Sequence, residues 1–166
     1  ADRMLFTSRR AAQDALDLCA ENGIACADHR CVPLGSDPLP ETAPSTIPEP
    51  LEAGRFALYV STVEPRKNHA MLVEAWRGLV RDGTVARTGF RLVFVGRKGW
   101  MMGDFFDRIA ADRELAATVI HLQGISDESL AALYRDAAFC LYPSIYEGYG
   151  LPPIEALAPG EALIAS

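Results

Sequence analysis

Apolar residues along this chain come in short blocks that alternate between two spacings. Phe56-Ala57-Leu58-Tyr59-Val60, Arg91 to Val95, Val119 to Leu122, Phe139 to Tyr142 and Leu163 to Ala165 are runs of strand length, followed by glycines or polar turns. Between them the apolar positions recur every three or four residues. Met71, Leu72, Ala75, Trp76 and Leu79 form one face of a helix from about His69 to Arg81, and a Met- and Phe-rich helical stretch runs from about Gly103 to Arg113. Ser126 is placed to cap a helix carrying Leu130, Ala131, Leu133 and Tyr134. Pro152 and Pro153 suit the first turn of another, which runs through Ile154 to Ala158 until Pro159-Gly160 stops it. Strands alternating with helices over short loops predict an α/β fold, a Rossmann-like parallel sheet with helices on both faces.

The first third of the chain is organised differently. Met4 to Thr7 reads as a short strand, Ala11 to Asn22 as a helix ended by Gly23, and Arg30-Cys31-Val32 as a second strand. Pro33, Pro38, Pro40, Pro44, Pro48 and Pro50 follow, in a segment that sustains neither a helix nor an inner strand. The expected division is therefore 1–35, a Pro-rich linker at 36–54, and a main domain at 55–166.

Composition narrows the function classes. With 49% hydrophobic and 23% charged residues in 166, the chain can build one packed domain but not two complete ones. A formal net charge of −6 argues against a nucleic-acid partner, which needs clustered surplus Lys and Arg, so an anionic ligand must be met locally. No apolar run approaches bilayer length and no signal-peptide pattern opens the chain, which predicts a cytoplasmic protein. Cys19, Cys26, Cys31 and Cys140 lack CxxC spacing; Cys26, His29 and Cys31 with Cys19 make a poor metal set, and no metal is expected.

In open parallel sheets ligands bind beyond the carboxyl ends of the strands, and three of those loops carry chemistry. Glu64-Pro65-Arg66-Lys67-Asn68 sets two cations before a helix N-terminus, a combination suited to a diphosphate; it also reads as a solvated turn with Asn68 as N-cap. Gly96-Arg97-Lys98-Gly99-Trp100 offers glycines that let a backbone approach a ligand and an indole that could stack on a base or sugar; Trp100 also reads as a core or rim residue. Between Ser144 and Glu155, Gly148 and Gly150 lie between two carboxylates, Glu147 and Glu155, which can accept hydrogen bonds from sugar or ribose hydroxyls. Glu155 also reads as a surface helix residue, and Glu147 as a first-turn charge offsetting the helix dipole.

Taken in order, Glu-Pro-Arg-Lys-Asn, Val-Gly-Arg-Lys-Gly-Trp, Leu130 to Arg135 before Tyr-Pro-Ser, and Tyr146 to Leu157 with its glutamates spaced Glu147 and Glu155 resemble the C-terminal domain of family 4 glycosyltransferases, mannosyltransferase-like members in particular. The resemblance covers about residues 52–166. It implies the GT-B fold, with 1–35 a remnant of the N-terminal acceptor-side domain and 55–166 a donor-binding domain incomplete at its C-terminus. It further implies transfer of a mannose- or glucose-type sugar, with retention, from a GDP- or UDP-hexose to a glycan or lipid-linked acceptor.

By position, Arg66 and Lys67 would neutralise the diphosphate and Glu147 would hold sugar hydroxyls. Gly148, Tyr149, Gly150 and Leu151 would contact sugar or phosphate through their amides, and Glu155 would bind ribose. Gly96, Arg97 and Lys98, with Gly124 and Ile125, would border the base. No metal or other cofactor is implied, and peripheral membrane association of the complete enzyme is allowed. Where many members carry Gly-Arg after the first strand, this chain has Ser61-Thr62, which puts more of the phosphate charge on Arg66. A non-catalytic nucleotide-binding module of the same fold is the alternative. A glycoside hydrolase using Glu147 and Glu155 fits less well, since one sits on a loop and the other within a helix. A dinucleotide oxidoreductase would need a GxGxxG that is missing after the first strand.

Overall fold

The computed structural model describes residues 3–26, 28–35, 46–157, 160 and 162–166. By its internal contacts the chain divides into two units, Ala1–Asp37 with Glu147–Leu151, and Pro38–Tyr146 with Pro152–Ser166. In the smaller unit β1 (Arg3–Phe6) and β2 (Asp28–Cys31) pair in parallel, joined by α1 (Arg9–Glu21). Ser8 caps α1 by accepting from the Ala11 amide. Tyr149 is held in this unit by its hydroxyl, which donates to the Leu34 carbonyl at 2.6 Å.

The larger unit is a five-stranded, all-parallel sheet. Its strands are β3 (Phe56–Val60), β4 (Arg91–Val95), β5 (Val119–Leu122), β6 (Phe139–Tyr142) and β7 (Leu163–Ala165). They lie in the order β5-β4-β3-β6-β7, and all five coincide with the apolar runs read as strands. Period-two alternation sorts β3 between two cores: Ala57 and Tyr59 face one cluster, Phe56 and Leu58 the other. The first core receives α2 (His69–Arg81), α3 (Thr84–Thr88), α4 (Phe105–Ala111) and α5 (Arg113–Thr118). The second receives α6 (Asp127–Asp136) and α7 (Leu151–Leu157).

Several elements differ in detail from the pattern-based reading. The buried face of α2 is His69, Leu72, Val73 and Trp76; Met71 and Leu79 lie on its exposed side. The helix is therefore rotated from the expected face, because His69 is spent on the core as its first apolar contact. The stretch expected as one helix from Gly103 is α4, and α5 follows separately because the Asp112 carboxylate accepts from the Glu114 and Leu115 amides and starts a new helix. Short α3 lies between Gly83 and Gly89, both in the left-handed region. Of the Pro-rich segment, residues 36–45 lie outside the described residues, as do 158, 159 and 161 near the end of α7. From Ile47 onward the chain packs on the second core, with Leu51 buried in it. Among the described residues no group of His, Cys, Asp and Glu could hold a metal ion, and no helix is long and apolar enough to cross a membrane.

The aromatic centre of the first core contains a titratable ring. His69 is 1% exposed, tilted against Tyr59 at 4.6 Å and edge-on to Phe94 at 5.0 Å between centroids. Burial, followed by the neighbouring charges of His121 and Lys67, pushes its pKa down to about 3 from 6.5. The unfolded chain takes up a proton near pH 6.5 and the folded chain only near 3, so unfolding binds a proton throughout that window. Stability from this group is complete above pH 6.5 and falls by about 1.4 kcal/mol per pH unit on acidification below it. In denaturant titrations between pH 4 and 6, His69→Phe should flatten the pH dependence of unfolding by roughly that slope; an unchanged slope would contradict the assignment.

Candidate functional site

The strand order reverses at β3, whose neighbours β4 and β6 lead to helices on opposite faces of the sheet. A crevice at the carboxyl ends of β3 and β6 follows from that topology. The residues that enter it are those after β3, in a 3-10 turn at Pro65–Lys67, and those after β6, from Pro143 to Tyr146.

Hydroxyls at the strand ends tie these two segments together. Tyr59, fully buried, donates to the Lys67 carbonyl at 2.7 Å, and its hydroxyl lies 3.3 Å from Ser144 Oγ. Asn68, in the left-handed region at φ 60°, donates its side-chain amide to the Pro143 carbonyl at 3.2 Å. It stands at the N-cap position of α2 but makes no capping hydrogen bond, because its side chain is used across the crevice. The Ile145 amide donates to the Arg66 carbonyl at 2.9 Å.

The two cations are held in different ways. Lys67 is only 7% exposed: its Nζ donates to the Tyr142 hydroxyl at 3.4 Å and lies 5.4 Å from the centre of that ring. Arg66 is half-exposed, with Nε 2.6 Å from Glu64 Oε1, a charge contact rather than an aligned hydrogen bond, and Nη1 donating to the Tyr146 carbonyl at 3.2 Å. Glu64 is itself buried, and its Oε2 accepts from Trp100 Nε1 at 3.0 Å. Both cations of the turn are thus held by contacts within the fold, Lys67 buried and Arg66 half-exposed.

Two further loops border the carboxyl edge. Gly96, at φ 144°, passes so close to Ser61 that a Cβ would collide with the Ser61 carbonyl, and a Cβ on Gly99 would lie 2.8 Å from the Val63 carbonyl. The backbone these glycines admit is the chain's own: Val63 and Lys98 form a bridge that extends the β3–β4 pairing, and the Val63 amide donates to the Arg97 carbonyl. Lys98 Nζ donates to the Gly103 carbonyl at 2.9 Å. Gly124 turns at φ 63° and Ile125 packs against the second core before α6. Glu155 on α7 accepts from the Tyr134 hydroxyl at 3.2 Å; burial, together with this carboxylate's charge, pushes the Tyr134 pKa up. Glu147, Gly148, Tyr149, Gly150 and Leu151 group with the smaller unit, although Glu147 follows Tyr146 directly in the chain.

Residues 46–166 match the family described as glycosyl transferases group 1. The chain belongs to this family. The serotype-specific mannosyltransferase WbdA of Escherichia coli is 33% identical over 174 residues, covering 94% of this chain and 20% of the relative. O-antigen chain mannosyltransferase B of the same organism is 34% identical over 111 residues, covering 67% of this chain and 28% of its own length. The chain therefore spans between a fifth and just over a quarter of these relatives. The pneumococcal O-GlcNAc transferase GtfA, in complex with UDP and GlcNAc, superposes with a TM-score of 0.70 over 99% of this chain and 30% of that one, at 20% identity. Trehalose-6-phosphate from E. coli bound with UDP-2-fluoro glucose gives 0.74 over 95% and 43%, at 13% identity. The fold is that of GT-B glycosyltransferases.

In this group 1 glycosyltransferase chain the residues missed from sequence are Tyr59, Glu64, Tyr142 and Ser144. Their signal was available: Tyr142 ends β6 and Tyr59 precedes the end of β3, where a phenol in an otherwise apolar strand needs a partner for its hydroxyl. The backbone at Gly96 gives a direct check of the loop geometry. Gly96→Ala should destabilise the domain by about 2–4 kcal/mol, since it meets a carbonyl and an unfavourable φ together. A melting temperature within a degree or two of the parent would refute the close approach.

Proposed function

We propose that this chain carries the nucleotide-sugar donor site of a retaining glycosyltransferase, acting with a mannose-type sugar on a glycan or lipid-linked acceptor. One observation carries the reading. Arg66 and Lys67 sit at the topological switch point, each fixed by residues from the loop after β6 or from β6 itself. Fixed positive charge at the carboxyl ends of parallel strands suits a diphosphate, and similarity to mannosyltransferases favours a hexose of the mannose type, so the donor we infer is a GDP- or UDP-linked hexose.

In this reading the leaving diphosphate gains negative charge as the bond to the sugar carbon breaks. Lys67, anchored at both its carbonyl and its ammonium, supplies charge that needs no reorganisation as that happens. Arg66 supplies a planar fork whose direction is set by Glu64 and the Tyr146 carbonyl. Glu147 holds sugar hydroxyls and Glu155 the ribose; Gly148 to Leu151 offer amides to sugar or phosphate; Gly96 to Lys98 and Gly124-Ile125 border the base. No metal or cofactor is assigned a part, because the two cations cover the diphosphate. The reading includes a cytoplasmic enzyme that meets membrane-bound acceptors peripherally.

Calorimetric titration of this chain with GDP, UDP and the corresponding monophosphates tests the site. Arg66→Ala and Lys67→Ala should each weaken diphosphate binding about 10- to 100-fold, the range expected for a charged hydrogen bond, with a smaller effect on monophosphates. Equal losses for mono- and diphosphates would remove the phosphate assignment. In the longer enzyme Glu147→Ala should abolish transfer; full turnover would favour the non-catalytic nucleotide module.

A further inference from the structure

Beside the cationic turn, and not lined by Arg66 or Lys67, lies a cleft of about 340 Å³ between the start of α2 and the loop leading into α4. Its volume falls at the lower end of small-ligand pockets. Three independent features converge on it. His69, which lines the cleft, has a buried Nδ1 with no hydrogen-bond partner among the described residues, an arrangement that costs free energy in a finished core. Met101, also in the lining, holds φ at 54°, a conformation that side-chain-bearing residues seldom adopt and that clusters at ligand clamps. Trp100 precedes Met101 in the chain and is 60% exposed, yet its indole N–H is tied to the buried Glu64, another lining residue. An exposed indole fixed by a buried carboxylate is a rigid apolar plate in water.

The lining also describes its occupant. Pro65, Met101, Met102 and Phe105 give an apolar wall, while Asn68, His69 and Asp104 give polar groups. Its charges are internally matched: Arg108 Nε lies 3.6 Å from Asp104 Oδ1, and Glu64 is engaged by Arg66 and Trp100. A phosphate or a free cation gains little there. An uncharged ring with one apolar face and an edge of hydroxyls matches the wall, the polar groups and the indole together.

We propose that this cleft, with Trp100 at its rim, is a saccharide subsite for a pyranose of the acceptor glycan, separate from the nucleotide site. The assignment of that sugar as an acceptor rests on the transferase reading; the binding itself does not. Glu64 touches both Trp100 and Arg66, so the subsite lies one side chain from the proposed diphosphate cation.

The test titrates this chain, carrying methyl-labelled methionine, with methyl α-mannoside and an α-mannotriose. Met101 and Met102 line the cleft, while Met4 and Met71 serve as internal controls. Saturable shifts confined to Met101 and Met102 are expected, with a parallel change in Trp100 fluorescence against the buried Trp76. Trp100→Ala should weaken saccharide binding about tenfold. Ala70→Phe, an exposed lining position, should fill the cleft and abolish saccharide binding while leaving the melting temperature and GDP binding intact. Absence of shifts at tens of millimolar saccharide overturns the proposal, as does unchanged binding by Ala70→Phe or loss of GDP instead of saccharide in that variant. Saccharide binding lost on Ala70→Phe supports the cleft whatever the nucleotide titrations give. Arg66→Ala that leaves GDP binding unchanged counts against the donor reading alone.

Discussion

The chain beyond β3 leaves for one face of the sheet and the chain beyond β6 leaves for the other, and the larger unit depends on how these divergent segments are held at their base. A parallel sheet with this strand order opens a crevice there, and the β3–β6 ladder, which pairs Ala57 with Phe139 and Leu58 with Cys140, does not reach the loops that form its walls. The Tyr59 hydroxyl supplies the restraint: it meets the Lys67 carbonyl on one wall and Ser144 on the other. Asn68 repeats the tie with the Pro143 carbonyl, and the Ile145 amide repeats it with the Arg66 carbonyl. Three cross-crevice bonds, one from a fully buried phenol, hold the cationic turn against the loop after β6.

That restraint makes a buried lysine tolerable. An ammonium that is 7% exposed would be expensive without partners, and Lys67 has the Tyr142 hydroxyl and the face of the same ring. Its charge reaches further into the core, where it contributes to the depressed pKa of His69. Ser61, directly after β3, is buried and bonds to His69 Nε2 at 3.3 Å. The segment after β3 is therefore packed to its own design, with its positive charge concentrated in Arg66 and Lys67.

The strands were legible because sheet residues buried on both faces must be apolar throughout, and Phe56 to Val60 and Leu92 to Val95 obey that rule. Short helices were not. Five residues of α3 and six of α5 are too few for a periodicity to emerge, and they exist because caps at Gly83 and Asp112 and a single buried residue each, Val85 and Leu115, hold them. At the site, Arg66 and Lys67 are adjacent and chemically alike in sequence. The left-handed turn at Asn68 separates α2 from the 3-10 turn, and one cation points inward while the other stays half-exposed. Gly96 and Gly99 were legible as sites of close approach, but what approaches is the backbone of residues 61–64, which periodicity cannot reveal. Glu147 was legible as chemistry; its grouping with Tyr149 and the smaller unit was not, since Leu34 lies 115 residues away from its partner.

Glu64 presents the hardest case, because a carboxylate beside a proposed anion site opposes the attraction that the cations create. Its burial decides its effect. Held by the Trp100 indole on one oxygen and against Arg66 on the other, it cannot swing away or be screened by water as a surface carboxylate would be. It therefore lowers the net charge of the turn to roughly that of Lys67 while fixing the plane of the guanidinium, which a flexible arginine side chain would otherwise have to lose entropy to achieve. Raw electrostatic pull is exchanged for orientation. A turn organised this way favours a ligand that matches the geometry of the fork over any small anion that happens to be negative, and the proposed diphosphate reading calls for that selectivity.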